Sequence, residues 1–332
     1  MQEAIITELE QQYDFIVEDT PVRLGGLSNQ NYVLTTNRGK IVVKRYNPYS
    51  SSEIRAVEHQ ALHHLRSKGI DYIPYLLVCQ QSGQTTTTIE EETYAVFEFI
   101  EGEQYQRTLE QTTDAGRKLG FIHTGLEDLT LDSISPSRKR TIGIKEDWLQ
   151  KIKEYDTSRG SSIGKEVLDI LEETAKDYES EELRETHFHA DYHPGNLLFD
   201  DENVRAVLDF EAVFKHGHRI LDLAFGAYNF GMRYNKETWE LEDIDEERFK
   251  SFLRGYNQTA KLTATEIVLL PEALITHRAE YLRRFLEEAV TLSTGSSASP
   301  ESLVTVEYNI KEAAAIIKLA ERKRKMITQF ML

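Results

Sequence analysis

Two aspartates carry the richest chemistry in this chain. Asp191 lies in His189-Ala190-Asp191-Tyr192-His193-Pro194-Gly195-Asn196, two residues after a histidine and five before an asparagine. Asp209 follows, beyond the apolar runs Leu197-Leu198-Phe199 and Val207-Leu208, and opens Asp209-Phe210-Glu211. Phosphoryl transfer to a hydroxyl needs these parts in this order: a carboxylate to take the hydroxyl's proton, an amide oxygen for a metal ion, and a second carboxylate for the metals that bridge the phosphates. Two other readings share the same letters. His187, His189, Asp191 and His193 alternate, and on a strand all four would share a face and could converge on one metal, as in a metallo-hydrolase. The stretch could also be a surface turn with incidental histidines. Only phosphoryl transfer also explains Asp209 and the upstream Lys44.

Those residues need elements to hold them. Short β-type runs fill the first hundred positions: Phe15 to Val17, Val22 to Leu24, Tyr32 to Leu34 and Ile41 to Val43. Gly25-Gly26-Leu27-Ser28-Asn29-Gln30-Asn31 joins two of them as a hairpin tip, where backbone N–H groups can turn toward a phosphate. Gly26, Ser28 and Asn29 are the candidate contacts there. Lys44 follows Ile41-Val42-Val43 and shares a face with Val42 and Tyr46, a costly place for an unpaired charge. A helix predicted over Ser51 to Ser67 supplies a partner, since Glu58 falls within its apolar stripe. A strand lysine held by a helix glutamate is the arrangement that grips nucleotide phosphates. Ile73 to Val78, Thr85 to Ile89 and Tyr94 to Phe99 read as further strands. The last exits through Glu98-Phe99-Ile100-Glu101-Gly102, where backbone groups of Glu98 and Ile100 could bind an adenine edge. Beyond Gly102 the pattern turns helical, over 109–124, 146–155, 164–178, 219–230, 246–256, 265–293 and 301–327. We therefore expect an α+β, bilobal fold: a small antiparallel β-sheet lobe, residues 1–101, that binds nucleotide, and a larger, mainly helical lobe, residues 102–332, for catalysis and the acceptor.

Composition narrows the partners. The 332 residues carry 39 Lys and Arg against 56 Asp and Glu, a formal charge of −17. That balance argues against nucleic-acid binding and against docking on an anionic membrane surface. Cys79 stands alone, so no intrachain disulfide can form, and a reducing cytoplasm fits. No apolar run approaches a membrane span, and the first residues have no secretory signal pattern. The basic end, Arg322-Lys323-Arg324-Lys325, is expected to be a solvated last turn.

Taken together, Lys44, Glu58, the Asp191 loop and Asp209-Phe210-Glu211 with Arg219-x-x-Asp222-Leu223-Ala224 resemble the aminoglycoside phosphotransferase and choline kinase superfamily, near its homoserine-kinase-type and spore-coat-type members. Ala115-Gly116-x-x-Leu119-Gly120-x-Ile122-His123 is similar to that family's first large-lobe helix. The resemblance covers nearly the whole chain and implies a protein-kinase-like fold with ATP and Mg²⁺ as cofactors and a small-molecule alcohol as substrate. On that footing Asp191 is the catalytic base, Asn196 and Asp209 hold the metal, and Lys44 binds phosphates, steadied by Glu58. His189 and Asp222 would support the loop, while Asp191, His193 and Glu211 face the acceptor. Only twelve residues lie between Asp209 and Asp222, without the Ala-Pro-Glu that closes a protein kinase's activation segment, so a protein acceptor is not expected. The acidic balance and Glu211 suggest an amine-bearing acceptor. A non-catalytic scaffold of the same fold is the competing class, but a scaffold has no need of Lys44, Asp191, Asn196 and Asp209 together.

Overall fold

In the computed structural model, all residues are described except 26–28, 132–138, 161–162, 177, 179, 236, 239, 295–299 and 330–332. Helix α1 (Glu3–Tyr13) lays Ile5, Leu9 and Tyr13 on the sheet that follows. That sheet is built from β1 (Val22–Arg23), β2 (Gln30–Thr36), β3 (Gly39–Arg45), β4 (Thr87–Ile89) and β5 (Glu92–Glu98), with helix α2 (Ser52–Ser67) inserted after β3. Its order is β1-β2-β3-β5-β4 and every neighbouring pair is antiparallel. Leu34, Val43 and Val96 form its covered face. The expected strand at Ile73 to Val78 is reduced to a single bridge, Leu76 to Phe97. Pro74 has no N–H to give to a ladder, so the pairing stops there. Phe15 to Val17 likewise keeps one bridge, Val17 to Thr36.

Helices dominate the rest. Among the described residues they are α3 (Leu109–Leu126), α4 (Glu146–Ser158), α5 (Lys165–Thr174), α6 (Ile220–Gly231), α7 (Glu246–Thr259), α8 (Ala264–Val268), α9 (Leu270–Thr294), α10 (Pro300–Arg322) and α11 (Arg324–Thr328). Small sheets sit among them. Strands β6 (Lys139–Arg140), β7 (Glu185–His187) and β10 (His216–His218) pair in the order β6-β10-β7. Strands β8 (Leu197–Asp200) and β9 (Asn203–Val207) make a hairpin, as do β11 (Met232–Tyr234) and β12 (Leu241–Ile244). Pro271 falls in the first turn of α9, where its missing N–H costs nothing.

Helices α3 and α7 cross very closely. A Cβ on Gly116 would stand 2.0 Å from the Phe252 carbonyl oxygen, and one on Gly255 would stand 1.9 Å from that of Thr113. Glycine is required at both, and the closeness brings His123 of α3 against Tyr256 of α7. The basic C-terminal run is not simply solvated. Lys323 reaches Asp243 at 3.2 Å and Glu246 at 3.1 Å, and Arg324 pairs with Glu272 and Glu321. Acidic neighbours on β12, α7 and α9 capture charges that the sequence assigned to water. Among the described residues no helix is long and apolar enough to cross a membrane.

Candidate active site

Lys44 sits near the end of β3, between Asn31 of β2 and Ala95 of β5. It is buried, and its Nζ donates to Glu58 Oε1 at 2.9 Å. Ser51 caps α2 by accepting from the Ile54 N–H at 3.3 Å, and two turns on the helix turns Glu58 inward among Val57, Ala61 and Leu62. The other Glu58 oxygen accepts from Tyr46 Oη at 2.9 Å. Burial opposes the Lys44 charge, yet Glu58, Glu211 and Asp209 outweigh it and raise its pKa to about 12. Burial in turn pushes the Glu58 carboxyl upward, while Lys44 pulls it back.

The second half of the site comes from the β8–β9 hairpin. Leu197 faces Val207, and the Leu208 N–H donates to the Asn196 carbonyl at 2.8 Å. The hairpin thus folds Asn196 back beside the segment that carries Asp209. Asn196 Nδ2 donates to both the Asp191 carbonyl (2.9 Å) and Asp191 Oδ2 (3.0 Å), which leaves its amide oxygen to accept or to ligate. Asp209 Oδ1 lies 4.0 Å from Lys44 Nζ. Burial works against the Asp191 carboxylate, but His193, at 3.5 Å, His189 and Asn196 win, and its pKa falls below the usual value. Asp191 is therefore ionised and able to accept a proton at neutral pH.

Two positions in this site carry strained backbone. Ala190 has φ 63° and Asp209 has φ 64°, both in the left-handed region. A buried network holds them. Asp222, near the start of α6, accepts from the His189 N–H at 2.8 Å and the Ala190 N–H at 2.9 Å. It also meets His123 Nε2 at 3.0 Å, and His123 Nδ1 meets Tyr256 Oη at 2.8 Å. His189 Nε2 donates to the Leu208 carbonyl at 2.9 Å, which ties the Asp191 loop to the residue before Asp209. The bond to a carbonyl fixes that nitrogen as the protonated one. Arg219, fully buried at the head of α6, is anchored by a two-bond pair to buried Glu266, each bond 2.8 Å. The loop-supporting places of His189 and Asp222 match their sequence expectation. His123 and Tyr256 were missed as members of this network; the signal was the Ala115-to-His123 helix, whose histidine had been given no task.

Several expectations need correction. Ala190 breaks the alternation after β7, so His187, His189, Asp191 and His193 do not share a face. Among the described residues, no group of three or more His, Cys, Asp or Glu is placed to hold a metal, so these four do not form the cluster that the alternation suggested. Glu211 was expected on the acceptor side, but it lies 3.2 Å from Lys44 Nζ and accepts from Asn29 Nδ2 at 2.8 Å, on the sheet side of the cleft. Opposite charge draws its carboxylate to the buried Lys44 ammonium. Asn29 also accepts from the Asn47 N–H, so its side chain joins the sheet to the Asp209 segment. Gly26 and Ser28 lie outside the described residues. His193 accepts from the Gly195 N–H at 3.0 Å and lines a cavity of about 420 Å³ with Tyr105 and Arg248. The Glu98 N–H is taken by the Tyr75 carbonyl at 2.8 Å, leaving its carbonyl and the Ile100 N–H as the hinge groups in question.

A larger cavity, about 450 Å³, opens against Ala190 and is walled by Trp148, Leu221 and Tyr281. Its lining carries Lys139, Arg140, Lys145, Lys215 and Arg284 against Asp222 and Glu280. The chain's acid excess lies elsewhere.

Comparison with known proteins agrees with this geometry. Residues 20–260 match the model of the phosphotransferase enzyme family. A homoserine kinase of Zymomonas mobilis is 24% identical over 264 residues, covering 75% of this chain and 76% of that protein. A homoserine kinase of Sinorhizobium medicae is 24% identical over 304 residues, covering 89% and 87%. Among solved structures, an amicoumacin kinase in complex with AMP-PNP and Ca²⁺ superposes with a TM-score of 0.68 at 17% identity, over 95% of this chain and 93% of that one. A microcompartment-associated aminopropanol kinase gives 0.63 at 18% identity, over 98% and 99%. The chain belongs to the phosphotransferase enzyme family, whose members of this kind act on the hydroxyl groups of small molecules.

Proposed function

We propose that this protein is an ATP-dependent, Mg²⁺-requiring kinase that moves the γ-phosphoryl group onto a small-molecule alcohol. The observation that carries the reading is the meeting of a buried Lys44–Glu58 pair with Asp209, 4.0 Å away, beside a hydrogen-bonded Asp191–Asn196 pair. In this reading residues 1–101 hold the nucleotide, with the Glu98 carbonyl and Ile100 N–H on the adenine edge, and Gly26, Ser28 and Asn29 are the phosphate contacts that the sequence suggests. Lys44 exchanges Glu211 for phosphate oxygens. Asp209, the Asn196 amide oxygen and the displaced Glu211 form an all-oxygen donor set, which suits a hard cation such as Mg²⁺. Held there, the cation would neutralise charge that develops on the phosphate oxygens. Asp191, ionised and fixed by Asn196, orients the acceptor hydroxyl and receives its proton. Residues 102–332 supply this base and the acceptor cavity.

ADP release measured with a panel of alcohols, beginning with homoserine, tests the proposal. We expect ADP formation to require both an alcohol and Mg²⁺. A protein whose nucleotide affinity is the same with and without Lys44→Ala, and which forms no ADP with any alcohol, would not be this enzyme.

A further inference from the structure

The cavity beside Ala190 holds more positive charge than the described residues neutralise. Arg140 is paired with Glu280, and Lys139 with Glu185 at 2.6 Å. Asp222 is occupied by two backbone amides and His123. That leaves Lys145, Lys215 and Arg284 with no carboxylate partner among the described residues. Lys145 and Arg284 are exposed and cost little in this state, but Lys215 is only partly exposed. An ammonium withdrawn from water without a counter-charge is unfavourable. Burial, with Arg140 and Arg284 nearby, depresses the Lys215 pKa to about 8, so it still carries its proton at neutral pH. Unfavourable local choices of this kind concentrate at functional sites.

Position connects this charge to the chemistry. The Lys215 carbonyl accepts from the Phe188 N–H at 2.8 Å, three residues before Asp191. The Asp191 charge acts on Lys215, and Ala190 forms the cavity wall next to Asp191. None of Lys44, Glu58, Asp209 and Glu211 lines the cavity, so its cations are not those assigned to the nucleotide. An ammonium-bearing acceptor would bring a fourth positive charge to three unpaired ones. A neutral sugar would leave them as they are.

Resting on the kinase reading above, we propose that the acceptor is an alcohol that carries an anionic group, a carboxylate or a phosphate, seated on Lys215 and Arg284 while its hydroxyl reaches Asp191. Charge-assisted hydrogen bonds from an ammonium and a guanidinium hold such oxyanions well. The class of acceptor is thus opposite in charge to the one suggested by the chain's overall acidity.

Calorimetric titration of the protein saturated with AMP-PNP and Mg²⁺ tests this with two matched sets. One is 4-hydroxybutyrate, 4-hydroxybutyramide and 4-aminobutan-1-ol; the other is glycerol 3-phosphate and glycerol. We expect the anion of at least one set to bind at least tenfold more tightly than its uncharged and aminated counterparts, and the set in which this occurs identifies the anion. Lys215→Met should remove about tenfold of that affinity and leave AMP-PNP binding unchanged. Arg284→Met, at an exposed position that does not endanger folding, should do the same to a smaller extent. The proposal is overturned if the amine or neutral compounds bind as well, if both anions fail to bind, or if both substitutions are without effect. AMP-PNP binding to the unsubstituted protein and to Lys44→Ala is measured separately. Its failure would remove the kinase reading while leaving the anion preference of the cavity to stand or fall on its own titration.

Discussion

Replacing Asp222 by asparagine separates the residue that holds the Asp191 loop from the residues proposed to react. One Asp222 oxygen takes the His189 N–H and His123 Nε2, and the other takes the Ala190 N–H. An asparagine can turn its oxygen to the first pair, but its amide then points an N–H at the Ala190 N–H. One charge-assisted bond, worth roughly 1.5–3 kcal/mol, is exchanged for a buried donor without an acceptor. We expect a loss of about 3 kcal/mol. Alanine would orphan all three donors at about 1–3 kcal/mol each, a sum comparable with the whole stability of a typical domain, about 5–15 kcal/mol, so asparagine is the useful probe. Ala190 at φ 63° also loses its restraint, and Asp191 is the next residue. Urea unfolding should show a lower midpoint with an unchanged slope, and turnover should fall at least tenfold while KM for ATP stays within about twofold. Normal stability together with normal kcat would refute the claim that Asp222 positions this loop.

Other expectations follow from the same geometry. Asp191→Ala should abolish phosphoryl transfer and leave nucleotide affinity within about threefold, since the base addresses the acceptor; turnover near that of the parent would remove it from this role. Asp209→Asn should weaken nucleotide binding and turnover together and shift the Mg²⁺ requirement upward, and an unaltered Mg²⁺ titration would count against the assignment. His59, buried between Tyr46 Oη and Thr85 Oγ1, has its pKa lowered to about 4 by burial and by the nearby Lys44 and Arg55 charges. Its unfolded form takes up a proton first, so the stability it contributes is complete above pH 6.5 and is lost as pH falls toward 4, by about 3 kcal/mol. Urea midpoints between those pH values should be flatter for His59→Gln; an unchanged pH slope would show that another group titrates.

The residues proposed to react stand out in the sequence because phosphoryl chemistry dictates both type and order along the chain. Lys44 and Glu58 were found from a charge placed on an apolar face, a local signal that period-two and helical spacing expose. Strand and helix order was legible for the same reason, and it failed where a single atom decided, as at Pro74. What escaped was set by reach between distant segments. Glu211 carries no mark of which side of the cleft it will take; the buried Lys44 ammonium, 167 positions earlier in the chain, draws it over. The sign of the cavity beside Ala190 escaped because net charge averages the whole surface, whereas Lys215 and Arg284 come to one cavity only when the chain folds. His123 and Tyr256 pair across two helices joined by glycine contacts that no spacing rule reports.

The division between buried holder and open acids bears on how such a chain can change over time. Asp191 and Asp209 keep 47% and 43% of their side-chain surface in solvent, while His123, Asp222, Arg219 and Glu266 have almost none. In the kinase reading proposed above, a descendant that lost either open acid would forfeit phosphoryl transfer and keep nearly all of its folding energy. One that lost a member of the buried set would be purged for instability before its activity mattered. Silent, well-folded copies are therefore a short mutational step away, available for any role that needs only shape.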